Sequence, residues 1–398
     1  MHHLPDRERR ARIARRHGLA AGHRRSDPEA ATRAMTVLHA TEPATVYLAL
    51  HARVEGLTVA DVDTALYTDR SLVRQLAMRR TLFVFPRDLL PAAWGSASAR
   101  VATTERARLV KEIERNGLAT DGAAWLTTAA TAALDRLADG SALTAQQLRS
   151  EVPELEGRLL LAEGTRYGGR FPVAPRVLGV LAAEGQIVRG RNEGHWRTSR
   201  PRWTAMAEWL GESPAPLPVD TGYAELARRW LATFGPGTTA DLQWWLGATV
   251  SATRRALAAV GAVEVGLDAG GTGWVLPDDL EPTPEGEPWA ALLPVLDPTV
   301  MGWKERSFYL GPHAAALFDA NGNAGTTAWW DGRIVGCWLQ DDAGAVRVQL
   351  LEDVGADGEA ALAAEAARLT AWLAGVRVGT VYPSPAMRAA GHVPVRAR

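Results

Sequence analysis

The chain has 398 residues, of which 47% are hydrophobic and 22% charged, and its formal net charge at pH 7 is −1. This length predicts several domains, and the sequence has no apolar run of the roughly 18 residues needed to cross a bilayer. The single cysteine, Cys337, excludes an internal disulfide and a cysteine-rich zinc site. Because the start of the chain is arginine-rich and lacks the apolar core of a secretory signal, we expect a cytoplasmic protein.

The first predicted domain, residues 1–118, contains four helices followed by a strand. Proline at position 43 is typical of the first residue of a helix, with Glu42 at the cap position. His39 and Thr41 are therefore expected in a tight turn between two helices, where their side chains either point out of the chain or tie off the turn. The predicted helices cover residues 7–19, 27–38, 43–54 and 59–66, and the strand covers 80–85.

Two further predicted domains, residues 119–212 and 213–281, repeat one order of elements. Each has three helices followed by a two-stranded hairpin, which is the winged-helix pattern. Thr144 and Thr238 are expected to cap the second helix of each unit. The predicted hairpins pair residues 186–189 with 195–198 and residues 263–265 with 273–276.

The last predicted domain, residues 282–398, is rich in strands. Asp331-Gly332 is a strong hairpin signal, a helix over 359–373 is expected to close the sheet, and the tail after Pro383 is expected to be loosely ordered. The sequence thus predicts an α+β protein with three tandem winged-helix motifs plus a C-terminal β-rich domain closed by a helix. The predicted strands of this domain lie in LLPVLDP, RSFYLG, TTAWWDGRIVGCWL and VRVQLLE.

Arginines cluster on the predicted wings. One interpretation is phosphate contact, because cations on groove-tracking loops bind the DNA backbone. The other is ion pairing on solvated faces, for Arg79 and Arg80 with Asp69 or Asp88. The second wing carries Arg189, Arg191 and Arg197.

Other chemistry has weaker signals. The spacing of His51, His195 and His313 does not form a metal site, and the sequence indicates no bound cofactor. In the adjacent pairs Trp244-Trp245 and Trp329-Trp330, one ring is expected in the core and the other at a rim or interface.

Five segments together, in their order along the chain, identify a family resemblance. The chain resembles the winged-helix DNA glycosylases of the AlkZ and YcaQ type over about residues 9–375. The resemblance implies a concave basic channel for DNA, no cofactor, and cleavage of the N-glycosidic bond of alkylated purines, with some members unhooking interstrand crosslinks. It also places Lys304 and Arg306 near the channel. The segments are HATEPATVYLALHAR, RRTLFVF, the two repeated units, LLPVLDPTVMGWKER and WWDGRIVGCW.

The resemblance also implies where catalysis would occur. The family's motif is Gln-x-Gln or Gln-x-Asp, and the matching triplet here is His39-Ala40-Thr41, in which both polar residues differ. A histidine can hold a water molecule and has an ordinary pKa of about 6.5. We therefore expect His39 to orient or activate water, Thr41 to hydrogen-bond water or phosphate, and Glu42 to act as an anionic stabiliser. The alternative is that His39 and Thr41 only cap the helix that begins at Pro43.

The sequence is compatible with one main hypothesis about function and two alternatives. The main hypothesis is a nucleoid-associated, monofunctional glycosylase that acts on alkylated or bulky-adduct purines in double-stranded DNA, with no membrane and no obligate protein partner. The first alternative is a winged-helix DNA-binding or regulatory protein that has lost the chemistry. The second is a scaffold for protein contacts, which would have no salt-dependent affinity for DNA.

Overall fold

The computed structural model describes residues 2–164 and 168–390, which form a mixed α+β structure. Among the described helices, none is long and apolar enough to span a membrane. The helices are α1 (Asp6–Arg16), α2 (Pro28–Ala34), α3 (Pro43–Arg53), α4 (Val59–Asp63), α5 (Leu90–Gly95), α6 (Ala97–Arg115), α7 (Gly122–Leu137), α8 (Ala145–Glu151), α9 (Ala174–Ala183), α10 (Met206–Leu210), α11 (Val219–Phe234), α12 (Thr239–Leu246), α13 (Val250–Ala259), α14 (Pro298–Met301), α15 (Ser307–Leu310), α16 (Ala314–Leu317), α17 (Gly355–Leu373) and α18 (Pro385–Ala389).

The strands form five sheets within the described ranges, with the orders β1-β9-β10, β2-β4-β3, β5-β6, β7-β8 and β11-β12-β13-β14. The strands are β1 (His2–Leu4), β2 (Leu38–His39), β3 (Leu72–Ala77), β4 (Thr81–Pro86), β5 (Arg158–Leu161), β6 (Gly169–Pro172), β7 (Ile187–Asn192), β8 (Pro201–Ala205), β9 (Val263–Leu267), β10 (Thr272–Val275), β11 (Ala290–Leu293), β12 (Thr327–Trp330), β13 (Arg333–Gln340) and β14 (Val346–Leu350).

The segment before α3 is extended, whereas the sequence predicted a helix over residues 27–38. α2 ends at Ala34, and Thr36 has a left-handed backbone with φ of 64°, which turns the chain out of the helix. β2 then pairs antiparallel with β4, so that His39 lies opposite Phe83. The prediction of a helix-to-helix turn at His39 is therefore wrong. Pro43 at the first position of α3 and Glu42 at its cap position are confirmed.

The second predicted unit has its helices where expected, and the Thr144 cap is confirmed as a capping box with Gln147. Its second strand was predicted wrongly at 195–198, because β7 pairs with β8 instead. The Asn192 side chain explains the difference: its Nδ2 atom donates to the Thr198 carbonyl oxygen at 2.7 Å and so closes residues 193–200 into a loop.

The third predicted unit consists of α11, α12, α13 and the β9–β10 hairpin, close to the predicted bounds. Thr238 forms a capping box with Asp241, which confirms the predicted cap. The sequence did not predict β1, which adds to this hairpin as a strand parallel to β9.

The C-terminal region is a four-stranded antiparallel sheet against which α17 packs. The hairpin at Asp331-Gly332 is confirmed, with both residues left-handed at φ of 46° and 78°. RSFYLG is not a strand, because Ser307–Leu310 forms α15. The residues just after Pro383 form α18, in which Met387 is buried, so that part of the tail is ordered, and the end of the predicted tail, residues 391–398, lies outside the described residues.

A buried ion pair joins the first region to the C-terminal region. Arg53 at the end of α3 donates from Nη2 to Asp297 Oδ1 at 2.6 Å and from Nη1 to Asp297 Oδ2 at 2.9 Å. Both side chains have 0% exposure, and Asp297 also accepts from the backbone N–H of Thr299 at the start of α14. Asp297 therefore caps the start of α14 and also fixes the position of α3.

Candidate active site and nucleic-acid interface

His39 lies at the end of β2 with its ring buried. The residue is 4% exposed, and its ring centroid lies 4.6 Å from that of Phe83 on β4. The Nδ1 atom is buried and has no hydrogen-bond partner among residues 2–164 and 168–390. Burial, and secondarily the positive charge of Arg79, lowers the pKa of His39 to about 3. The imidazole is therefore neutral near pH 7, where it can form hydrogen bonds but is a weak proton acceptor.

Thr41 and Glu42 differ in their surroundings. Thr41 is exposed, and its hydroxyl makes no hydrogen bond within the described parts of the chain. Glu42 is 8% exposed, and its Oε1 atom accepts hydrogen bonds from the Val381 backbone N–H at 2.5 Å and from Thr380 Oγ1 at 3.1 Å. No side-chain hydrogen bond caps α3 at Glu42. The alternative in which His39 and Thr41 cap this helix is therefore not supported by their contacts.

Arg79 and Arg306 meet at one tryptophan ring. The Arg79 guanidinium carbon lies 3.8 Å from the centroid of Trp244 on α12, and that of Arg306 lies 5.1 Å from it. Arg306 also lies 4.6 Å from the Phe318 ring centroid. Within the described residues, neither arginine forms an ion pair with a carboxylate. Burial, and then the nearby charge of Arg306, lowers the pKa of Arg79 to about 10.

A second group of arginines surrounds Tyr67. Arg74 on β3 donates from Nη1 to Tyr67 Oη at 2.9 Å, and the Arg191 guanidinium lies 5.6 Å from the Tyr67 ring centroid. Arg189 lies 5.1 Å from the ring centroid of Trp203. Burial, and then the charge of Arg74, lowers the pKa of Arg189. As at Trp244, aromatic rings take the place of carboxylates beside these cations in the described structure.

The structure does not bring all predicted site residues into one place. In the β2-β4-β3 sheet, Leu38, Val84 and Arg74 are directly opposite one another, and His39 aligns with Phe83 on the next row. Because consecutive rows point to opposite faces of a sheet, His39 and Arg74 lie on opposite faces. The predicted residues therefore form two sets, one with His39, Arg79 and Arg306, and one with Arg189 and Arg191.

The other predicted cations have varied partners. Arg80 is exposed and pairs with Glu105 at 3.1 Å, so ion pairing occurs but not with the predicted Asp69 or Asp88. Asp88 pairs instead with two other arginines, Arg33 and Arg229.

Two predicted cations lie in loops. Arg197 lies in the loop between β7 and β8, and its Nε atom is buried without a partner among the described residues. The Lys304 side chain is exposed, and its backbone N–H donates to Asp241 at 2.8 Å.

The aromatic residues that contact the arginines of both sets were not predicted from the sequence. Its one relevant signal was the Trp244-Trp245 pair, and the expectation that one ring lies in the core and the other at a rim is confirmed, because Trp245 is buried and Trp244 is partly exposed. Tyr67 and Phe318 carried no such signal. No group of three or more His, Cys, Asp or Glu side chains that could hold a metal ion occurs in the described ranges.

A family model identifies the family of this chain, and a solved structure shares its fold. The family described as DNA glycosylase AlkZ-like matches residues 32–372. The solved structure of the Streptomyces sahachiroi DNA glycosylase AlkZ is similar to this chain with a TM-score of 0.71 and 19% identity, covering 93% of this chain and 97% of that one, which shows a shared fold. No protein of curated function matches the sequence. Because the family match spans most of the chain, the resemblance seen in the sequence is confirmed, and the protein belongs to the AlkZ-like DNA glycosylase family.

Proposed function

We propose that this protein is a monofunctional DNA glycosylase built from three winged-helix units and a C-terminal β-rich domain. Its substrate class is alkylated or bulky-adduct purines in duplex DNA, including interstrand crosslinks. The observation that carries the proposal is a neutral His39 whose buried ring nitrogen has no hydrogen-bond partner among the described residues. It lies near enough to Arg79, which has no carboxylate partner in the same residues, for that charge to lower its pKa. Such a group is suited to holding a water molecule next to an anionic ligand.

The chemistry needs little from the protein. An N7-alkylguanine or N3-alkyladenine carries a positive charge on the base, so the base leaves without being protonated. The remaining tasks are to place a water molecule and to stabilise the sugar cation that forms. Because the low pKa of His39 makes it a poor base, we assign it the orientation of water by hydrogen bonding. Thr41, which is exposed two residues away, offers a hydroxyl to the same water or to a phosphate.

Glu42 has a different role in this proposal. Its carboxylate accepts hydrogen bonds from residues 380 and 381, and we interpret it chiefly as holding that segment against the start of α3. Its negative charge remains near the motif and is a secondary source of stabilisation for a sugar cation.

The proposed DNA contacts are the predicted cations. Arg79 and Arg306 contact phosphate near His39, and Arg189 and Arg191 contact it on the other face of the sheet. The exposed Arg80 and Lys304 and the loop residue Arg197 make outer contacts. This function places the protein in the cytoplasm with the chromosomal DNA. Affinity for DNA should fall steeply as salt rises, because each phosphate contact releases counterions.

A second candidate function follows from the motif itself. Both polar residues of the family motif are replaced at His39 and Thr41, which is compatible with a DNA-binding protein that has lost the chemistry. This protein would bind DNA with the same salt dependence but would release no base.

Formation of abasic sites tests these candidates. A duplex with one N7-methylguanine is incubated with the wild type, with His39→Ala, and with Arg333→Gln as a control for a surface arginine that is paired to Glu352. The glycosylase proposal expects abasic sites with the wild type and the control, and about 100-fold fewer per unit time with His39→Ala. Salt-dependent binding without abasic sites on alkylated or crosslinked duplexes would favour the second candidate.

A further inference from the structure

We infer that Arg79 and Arg306 act as one clamp on a single phosphodiester group of DNA, with Trp244 as the wall they share. The inference rests on the proposed DNA-binding function and specifies one of its contacts. Its basis is the position of two guanidinium groups within 5.1 Å of the centroid of one ring.

The two charges at Trp244 are held together without a counter-ion. None of the carboxylates in the described structure forms an ion pair with Arg79 or Arg306. Two like charges near one ring repel each other, and the lowered pKa of Arg79 reflects first its burial and then the nearby Arg306. An anion placed between the two guanidinium groups would remove this repulsion and would accept hydrogen bonds from both.

The backbone holds Arg79 in a fixed position. Arg79 and Arg80 both have left-handed backbones, with φ of 54° and 59°, a conformation that costs a residue with a side chain roughly 1–2 kcal/mol. The turn packs directly on the C-terminal end of α12, where a Cβ atom on Gly247 would lie 3.0 Å from the Arg79 nitrogen. The partial negative charge of that helix end favours a cation there.

Arg306 is anchored independently. Its Nε atom donates to the carbonyl oxygen of the buried Trp303 at 2.7 Å, which leaves the outer nitrogens for a ligand. The same segment is fixed to α12 because Asp241, which is fully buried, accepts the backbone N–H groups of Lys304 and Glu305, both at 2.8 Å. Both cations are thus preorganised, which reduces the entropy lost when a ligand binds.

The ligand is a phosphodiester rather than a stacked base. The guanidinium of Arg79 lies 3.8 Å from the Trp244 centroid and so covers ring surface that a base would need for stacking. A phosphate has several oxygens and can accept from two guanidinium groups at once. His39 lies close enough for the charge of Arg79 to lower its pKa, so the clamped phosphate would be near the water-orienting residue.

The salt dependence of binding to undamaged duplex DNA tests the clamp. Removing one phosphate contact lowers the magnitude of the slope of log K against log salt by about 0.9. If the two arginines share one phosphate, the remaining guanidinium group still contacts it in Arg79→Gln and in Arg306→Gln. Each single variant should therefore bind more weakly with little change in slope, and the double variant should lower the slope by about 0.9. Single-variant losses of about 0.9 each and a double-variant loss of about 1.8 would mean two separate phosphates and would overturn the clamp, as would an unchanged slope in the double variant.

Three controls make the outcome specific. Arg333→Gln, which removes a surface arginine paired with Glu352, should leave the slope unchanged. Arg306→Lys keeps the charge and should keep the slope with a lower affinity, so it reports on the clamp even if Arg306→Gln folds poorly. The assay involves no base release, so loss of glycosylase activity alone does not affect it, whereas a wild type with no salt-dependent DNA affinity would overturn both the clamp and the proposed function.

Discussion

Arg53 and Arg79 are both arginines with little exposure, but their environments are opposite. Arg53 is fully buried and forms a bidentate ion pair with the Asp297 carboxylate. Arg79 has an aromatic ring at 3.8 Å and a second arginine nearby, and no acidic partner among the described residues. The first arrangement is complete within the protein, whereas the second includes no anion from the described residues. The partner of the guanidinium group, rather than its burial, therefore separates the structural Arg53 from Arg79, for which we propose an anionic ligand.

The same comparison shows that the net charge of −1 does not describe how individual arginines are neutralised. Most acidic side chains that contact arginines are used in pairs such as those of Arg12 with Glu8 and Asp279. Arg79 and Arg306 at Trp244, and Arg74 and Arg191 at Tyr67, have no such acidic partner within the described structure. Net charge alone therefore says little about affinity for DNA in this protein.

The largest expected effect is the loss of stability when Arg53 is removed from its ion pair with Asp297. Arg53→Met leaves the Asp297 carboxylate buried without a partner, and removing one member of a buried pair typically costs about 3–5 kcal/mol. We expect the free energy of unfolding in urea to fall by that amount. Arg79→Met is the matched control and should change stability little or raise it, because it removes an unpaired buried charge. Equal losses in the two variants would contradict the comparison.

A smaller effect concerns the neutral imidazole beside Arg79. The pKa of His39 is about 3 in the folded protein and about 6.5 when unfolded, so the unfolded chain binds the extra proton as the pH falls below 6.5. Stability contributed by this residue is therefore present above pH 6.5 and is lost between pH 6.5 and 3. We expect a loss of about 2 kcal/mol on going from pH 8 to pH 5 that is missing in His39→Gln.

The control for this pH effect lies in the other buried histidines. The pKa values of His17 and His51 are also lowered by burial, and both residues remain in the variant. Subtracting the two pH profiles isolates His39. Identical profiles for the wild type and His39→Gln would show that the imidazole is not buried in its neutral form.

The cluster at Tyr67 should respond as unpaired cations do. Arg189→Gln and Arg191→Gln should each weaken binding to duplex DNA about equally for all sequences and lower the salt slope by about 1. The free energy of unfolding should change little in either variant, because neither arginine side chain has an acidic partner within the described structure. Titrations at several salt concentrations measure the slope, and unchanged slopes would remove this cluster from the interface.

The smallest effect is expected for a paired arginine on the surface. Arg228 pairs with Glu225 one turn earlier on α11, and its side chain is 47% exposed. Exposed pairs of this spacing contribute about 0.3–0.5 kcal/mol. Arg228→Gln should therefore shift the urea midpoint only slightly and leave the salt slope of DNA binding unchanged. A reduced slope would place this surface in the DNA interface.

Local signals in the sequence predicted much of the fold. The capping boxes at Thr144 and Thr238, the proline at the start of α3 and the hairpin at Asp331-Gly332 depend on neighbouring residues, and all are found. Features that depend on distant partners were missed. β2 is a strand because of its pairing with β4, more than 40 residues later, and β1 is a strand because it adds to β9. The propensity of a short segment does not contain this information.

The candidate site was likewise predicted from the sequence only in part. The sequence identified His39, Arg79 and Arg306 by motif and position, and in the structure Arg79 lies near His39 and near Arg306. The sequence could not reveal that the His39 ring is buried and neutral, that Arg80 pairs with Glu105, or that two cations lie near the Trp244 ring. Each of these depends on packing between segments that are far apart in the chain.

The central claim is that a neutral His39 orients water by hydrogen bonding, as an uncharged amide in its place also could. The most direct test is the single-turnover rate of base release from a duplex with one N7-methylguanine, measured from pH 5.5 to 8 for the wild type, His39→Gln and His39→Ala. We expect a rate that is nearly independent of pH, a His39→Gln rate within about tenfold of the wild type, and a His39→Ala rate about 100-fold lower. A wild-type rate that falls below pH 6.5, or equal rates for the wild type and His39→Ala, would contradict the account.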